Sequence, residues 1–182
     1  NLRAENYRNG EAIPAGFSNS EWAETAEGAV SVYDGDMANL STYGRLYNWY
    51  AVHDDRSLCP NNWIVPSDGE WMTMEMSLGM SESVLNNTSW RGTNQGLQMK
   101  TVYGWENNGN GTNSSGFTGL PGGARDSSGF YYLGETYGLW WSSSADGSSS
   151  WFRSLEFDQS GVGRASSDPH FGGYIRCIKN AQ

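Results

Sequence analysis

With 182 residues and no break in composition, the chain is expected to form one domain around one core, since chains split into separate cores only well beyond this length. The 9 Trp, 10 Tyr and 6 Phe make that core aromatic, and 24 glycines, nearly twice the usual share of ~7%, favour short strands and long loops over helices. A formal net charge of −9 repels phosphate backbones and anionic lipid surfaces, which argues against nucleic acid and membrane-inserted partners; no run of about 18 apolar residues is present to cross a bilayer.

Residues 1–45 are polar and punctuated by Gly and Asn, and read as loop and short strand with one turn of helix around 20–26. The opening Asn1-Leu2-Arg3 lacks a Met and starts in ordinary sequence, so a piece cut from a longer surface protein is expected. Ser31-Val32-Tyr33-Asp34-Gly35-Asp36 alternates like a strand and runs into an Asp-Gly turn. The aromatic run over 43–52 reads as a buried element. The clearest helix start is at Ser67, which can cap the first turn while Glu70, three residues on, reaches back to complete a capping box. The helix is expected over 68–78, with Trp71, Met74 and Leu78 on one apolar face and Gly79 ending it. A second helical stretch is expected over 81–85. From 88 to 115 the chain turns strongly polar, so no buried element is expected there, and a loop of that length is uncommon without a task. Strands are expected at 129–133, 138–142, 151–157, 162–165 and 174–178, arranged as antiparallel hairpins. Trp151, Arg153 and Leu155 alternate with Phe152, Ser154 and Glu156, which predicts one buried and one wet face.

The acidity has two readings, solubility or carboxylates that hold a hard cation, and composition leaves both open. Calcium takes six to eight oxygens from carboxylates, amides and backbone, so it needs several such groups in one tight loop. Two stretches qualify: Glu106, Asn107, Asn108, Asn110 and Asn113, with glycines between them, and Asp34, Asp36 and Asn39. Each reads equally as a solvated Asn/Gly turn. A binding site pairs an aromatic platform with a few converging polar groups. Tyr131, Tyr132, Tyr137, Trp140 and Trp151, interleaved with Arg125, Asp126, Glu135, Arg153 and Asp158, offer both, or else form core and rim. A peptide carboxylate calls for an arginine fork, for which Arg125, Arg153 and Arg164 are candidates. No catalytic residues are expected: His53 and His170 stand in polar surroundings, and neither a nucleophile elbow nor a Gly-rich phosphate loop is present. Cys59 and Cys177 are too few for a zinc site with cysteine ligands alone. They read as a bridge closing nearly two thirds of the chain, which suits an extracellular setting, or as two buried thiols.

Several ordered motifs resemble one family. They are Asn1-Leu2-Arg3, the run from Tyr43-Gly44-Arg45-Leu46 to Val52, Cys59-Pro60-Asn61-Asn62-Trp63 continuing to Trp71, Ser115-Gly116-Phe117, Leu120-Pro121-Gly122-Gly123-Ala124-Arg125, Trp140-Trp141-Ser142 and Ile175-Arg176-Cys177-Ile178-Lys179. Together they resemble the Fibrobacter succinogenes major paralogous domain over almost the whole chain. The resemblance implies an α+β fold of the C-type-lectin-like kind, with short antiparallel strands, one or two helices, long loops and one disulfide, Cys59 to Cys177. It implies that Trp63, Trp71 and Trp140 or Trp141 are core residues and that the long loop after the helices carries the ligand site. Formylglycine-generating enzymes share that wider fold, but their chemistry needs reactive cysteines, which the implied bridge removes. The chain is also similar to the peptide-binding modules of large calcium-dependent RTX-type bacterial adhesins. That narrower resemblance implies a calcium-dependent module at the bacterial cell surface, monomeric within a longer chain, that grips a short peptide on another cell. A carbohydrate-binding module and a structural spacer without ligand are the alternatives.

Overall fold

Frequent turns break the chain into many short elements, and the computed structural model describes them over residues 1–180. The last two residues of the expected 1–182 domain lie outside that range. The architecture is mixed α+β with strands predominant. In chain order the elements are α1 (Asn19–Glu24), β1 (Val30–Ser31), α2 (Ala38–Tyr43), β2 (Leu46–Tyr47), α3 (Trp49–Val52), β3 (Trp63–Ile64), α4 (Asp68–Ser77), β4 (Ser89–Arg91), α5 (Gln95–Met99), β5 (Gly122–Arg125), β6 (Tyr131–Gly134), β7 (Tyr137–Asp146), β8 (Ser149–Glu156), β9 (Val162–Ser167) and β10 (Ile178–Lys179).

The capping box is formed as the sequence predicts: the Glu70 N–H donates to Ser67 Oγ, and Glu70 Oε2 accepts from the Ser67 N–H at 2.7 Å. It starts α4, whose fully covered face is not the expected one. Asp68, Trp71 and Glu75 are the buried residues of this helix, while Met74 and Leu78 are only partly covered. The expected second helix over 81–85 is a single 3-10 turn, Glu82–Val84.

Among the described residues the strands make a six-stranded sheet, ordered β4-β9-β8-β7-β5-β6, and two two-stranded sheets, β1-β2 and β3-β10. The β7-β8 hairpin turns through Gly147 and Ser148, between the paired Asp146 and Ser149; a φ of 61° at Gly147 suits a residue without Cβ. Successive side chains of β7 point to opposite faces. Leu139 and Trp141 therefore join a cluster with Tyr47, Trp49 and Ile175, and Trp140 joins one with Trp71, Met99 and Tyr174. Both faces of the sheet are covered. The wet face expected on β8 does not exist, since Phe152, Arg153, Ser154 and Leu155 are all buried. The expected strand over 174–178 is replaced by an isolated bridge from Tyr174 to Trp140, followed by β10.

Two further expectations are corrected. The polar stretch 88–115 contains β4 and α5 and buries Arg91, Gln95, Met99, Lys100 and Trp105; the charged ends of Arg91 and Lys100 are tolerated there because each meets partners from elsewhere in the chain. Trp63, expected in the core, is 41% exposed.

Cys59 and Cys177 are bonded across 118 positions and clamp the β3-β10 pair. In the loop-entropy account a closed loop of roughly 100 residues contributes about 4.7 kcal/mol through the unfolded state.

Candidate functional site

The loop proposed for calcium is tied down by its own hydrogen bonds. Backbone N–H groups of Gly111, Thr112 and Asn113 donate to the carbonyls of Thr101, Leu97 and Lys100, which fixes the loop against the end of α5. The fit is close: a Cβ on Gly111 would stand 2.3 Å from the Leu97 carbonyl oxygen. Asn110 Oδ1 accepts from the Trp105 N–H at 3.0 Å, and Asn113 Oδ1 accepts from the Thr118 N–H at 2.7 Å. Asn107 and Asn108 take left-handed backbone with exposed side chains. Glu106 is exposed, and its N–H donates to the Glu135 carbonyl at 2.9 Å, which brings two residues from separate candidate sets side by side. At the other stretch, Asp34 is exposed and Asp36 Oδ1 accepts from the Ala38 N–H, an entry turn to α2. Among the described residues, no three His, Cys, Asp or Glu side chains converge on a common metal position.

Beneath this loop sits a cation of the chain's own. Lys100 Nζ donates to the carbonyls of Glu156, Phe157 and Gln159 at 2.9, 3.1 and 3.0 Å. Burial lowers its pKa, and the neighbouring Asp158 and Glu156 work against that shift.

The candidate ligand residues are distributed over several environments. Arg125 is buried at the end of β5, where it donates to the Gly129 and Phe17 carbonyls and lies 4.2 Å over the Trp22 ring. Asp126 closes the adjacent turn by accepting from the Ser128 and Phe130 N–H groups. Arg153 and Arg164 converge beneath α4. Arg153 donates to Asp68 Oδ1 and Glu75 Oε1, each at 2.7 Å, and Arg164 donates to both oxygens of Asp68. Arg91 adds a bidentate pair to Glu75, both bonds 2.8 Å. Five buried charged groups thus lock α4 onto the sheet. Burial, the largest single influence on the Asp68 carboxyl, raises its pKa, but the bonds from Arg164 and Arg153 together hold it below the ordinary value. Tyr137 is mostly covered, and burial pushes its hydroxyl up to about 12. Trp140 is fully buried with its indole N–H on Asn1 Oδ1, and Asp158 remains exposed. Of the expected platform, Tyr131 packs edge-on to Tyr33, Tyr132 packs on Phe171, and Arg164 covers Trp151.

A cleft that the sequence did not single out lies between α4, the segment Ser115-Gly116-Phe117 and the start of β10. It holds about 330 Å³, at the small end of the usual range for ligand pockets of about 300–1,000 Å³. Its floor is apolar: Trp71, Met74, Leu78 and Phe117. Phe117 packs edge-on to both Trp71 and Trp140, at 5.7 and 5.2 Å between ring centroids. The Trp71 indole N–H is buried without a hydrogen-bond partner. Arg176 lines the same cleft, with its guanidinium 4.6 Å from the Phe117 ring centre. Its Nε donates to Asn1 Oδ1 and its Nη2 to the Thr118 carbonyl, both at 2.9 Å, and burial lowers its pKa. Among the described residues Arg176 forms no ion pair. The cleft's carboxylate, Glu70, is already engaged in the capping box. Phe117 and Arg176 both fall within motifs that carry the family resemblance, which was the available signal; the bridge at Cys177 and the β3-β10 pairing hold Arg176 near α4, and bonds from Ser115 and Gly119 to the end of α5 hold Phe117.

Fold and cleft together define a disulfide-bridged α+β domain with an apolar, arginine-edged cleft beside its longest helix. Over residues 1–179 the sequence matches the family described as the Fibrobacter succinogenes major domain, and the chain belongs to that family. No curated protein and no solved structure matches the chain.

Proposed function

We propose that this domain is a non-catalytic recognition module of a bacterial cell-surface protein, and that it binds a short peptide in the cleft between α4 and the last strand. The observation that carries the reading is the cleft itself: an apolar floor large enough for one or two side chains, edged by a guanidinium without a carboxylate partner among the described residues. Ligand sites commonly combine such a floor with a few polar groups. The disulfide supports an oxidising, extracellular setting. Because it ties the approach to α4 to the last strand, it also supports a C-type-lectin-like fold and, more narrowly, the likeness to adhesin modules. A binding rather than catalytic role is supported by what the reactive side chains do. Both cysteines are paired, His53 stacks on Trp49 with centroids 4.6 Å apart, and His170 Nδ1 is bonded to Asp168 at 2.6 Å.

A calcium-assisted form of this reading places the ion at the edge where Glu106 and Glu135 lie side by side with exposed side chains. The carbohydrate alternative is favoured by the half-exposed Trp63, a ring on which a sugar can stack. Screening the domain against peptide and glycan arrays, with and without EDTA, separates the three. Peptide binding that survives EDTA and shifts the amide resonances of Trp71, Phe117 and Arg176 is the expected result. A glycan-only result refutes the proposal, and peptide binding abolished by EDTA moves it to the Glu106-Glu135 edge.

A further inference from the structure

We infer that the cleft reads a carboxylate: its ligand is a peptide segment in which an apolar side chain stands beside a free carboxylate, held by Arg176 without a metal. This rests on the cleft being the ligand site, and deepens that reading.

The argument begins with charge. The chain has 20 acidic residues against 11 basic ones, so carboxylates are plentiful, yet none among the described residues reaches the cation at this cleft. The three arginines beneath α4 are bonded to Asp68 and Glu75, Arg45 to Glu5, and Arg56 to Asp54 and Glu11. Arg176 instead meets only neutral acceptors, an amide oxygen and a backbone carbonyl, through Nε and Nη2. Lys100 and Arg125 also bind only neutral acceptors but are buried, and Arg3 and Arg8 bind only backbone carbonyls on the exposed surface, whereas Arg176 lines the cleft together with Trp71 and Phe117. Its Nη1 hydrogens remain for a ligand. The one carboxylate lining the cleft, Glu70, accepts from the Ser67 N–H and hydroxyl, which fixes it at the start of α4.

The second observation is the orphaned indole N–H of Trp71, a floor residue 2% exposed. A buried donor without an acceptor is costly, and a ligand oxygen that reaches it removes that cost. The Arg176 guanidinium and the buried Trp71 indole N–H, on two residues that line the cleft, are both donors. Met74, Leu78 and Phe117 are apolar, and the charged acceptor at the edge, Glu70, is held to Ser67 through Oε2, which leaves Oε1 without a partner among the described residues. The two donors match an acceptor-rich, anionic group, and the apolar floor takes the adjoining side chain. The overall negative field opposes an anion at long range, but at physiological salt it is screened over about 8 Å, so the contact at Arg176 decides.

The test uses three probes on the intact domain in EDTA: N-acetyl-L-phenylalanine, its carboxamide, and the amidated dipeptide N-acetyl-Phe-Asp-amide. Binding is read from Trp71 indole, Phe117 amide and Arg176 Nε chemical shifts. The acid is expected to bind at least about tenfold more tightly than the carboxamide, as for one charge-assisted hydrogen bond. The advantage should shrink as salt is raised. Tighter binding of the aspartyl probe than of the acid assigns the carboxylate to a side chain and leaves the inference standing. Equal binding of acid and carboxamide, at shifted cleft resonances, overturns the carboxylate while the cleft survives as the ligand site. No shift of cleft resonances with any probe overturns both. Arg176→Lys keeps the charge but not the fork, and is expected to lose most of the preference for the acid. Because the acid and carboxamide are compared on the wild-type chain, the inference stays testable if that variant folds poorly.

Discussion

Replacing Glu75 with Gln tests the buried ion network beneath α4. Glu75 is fully buried, and its two oxygens accept three guanidinium bonds, two from Arg91 and one from Arg153. The amide removes one charge and turns an NH2 group toward donors, so at least one guanidinium N–H loses its acceptor. Removing one partner of a buried ion pair costs about 3–5 kcal/mol. For a chain of this length that lowers Tm by roughly 6–20 °C. The network also has a built-in imbalance, with Arg91, Arg153 and Arg164 against Asp68 and Glu75, and Arg91 Nε has no partner. Arg91→Met removes the surplus cation and leaves Glu75 its bond to Arg153. It is expected to cost less than Glu75→Gln, although its own charge is also buried. Urea denaturation followed by tryptophan fluorescence measures both. A Glu75→Gln loss below about 1 kcal/mol, or an Arg91→Met loss exceeding it, refutes the reasoning.

Two further outcomes follow from the same geometry. Asp68 has a folded pKa below its unfolded value of about 3.9, so its contribution is fully present above pH ~4 and is lost as pH falls through the folded value. Stability curves of the wild type and Asp68→Asn should therefore run parallel from about pH 5 to 7 and converge below about pH 4; a constant gap down to about pH 2 contradicts this. Lys100→Met leaves three carbonyls without their common donor and is expected to destabilise the chain by about 2–3 kcal/mol. Hydrogen exchange should speed up at Gly111 and Asn113, whose amides donate to the carbonyls of Thr101 and Lys100, and unchanged exchange there would show that Lys100 does not order the loop.

What was legible in the sequence was local. The capping box needs only Ser67 and Glu70 three positions apart and could be read from a short window; strands were legible near β7 and β8, but their full length and two-sided burial were not. The bridge followed from having two cysteines and a family likeness. The long-range polar contacts were not legible. Arg153 and Arg164 reach Asp68 from 85 and 96 positions away, and a pattern of arginines on a strand looks the same whether it faces a ligand or a buried carboxylate. Polarity over 88–115 suggested solvent for the same reason, although Lys100 there is 1% exposed. The cleft is the furthest from the sequence, because Trp71, Phe117 and Arg176 come from three distant segments, joined by the bonds of the 115–119 segment to α5, the β3-β10 pair and the disulfide. Sequence by itself determined the capping box of α4 and the aromatic character of the core, whose causes lie within a few residues or in composition, while counting only allowed the bridge that the family resemblance implied. Tertiary structure alone decided which charges are buried against each other and which guanidinium is left facing the cleft, since burial and partner depend on strand register across the whole chain.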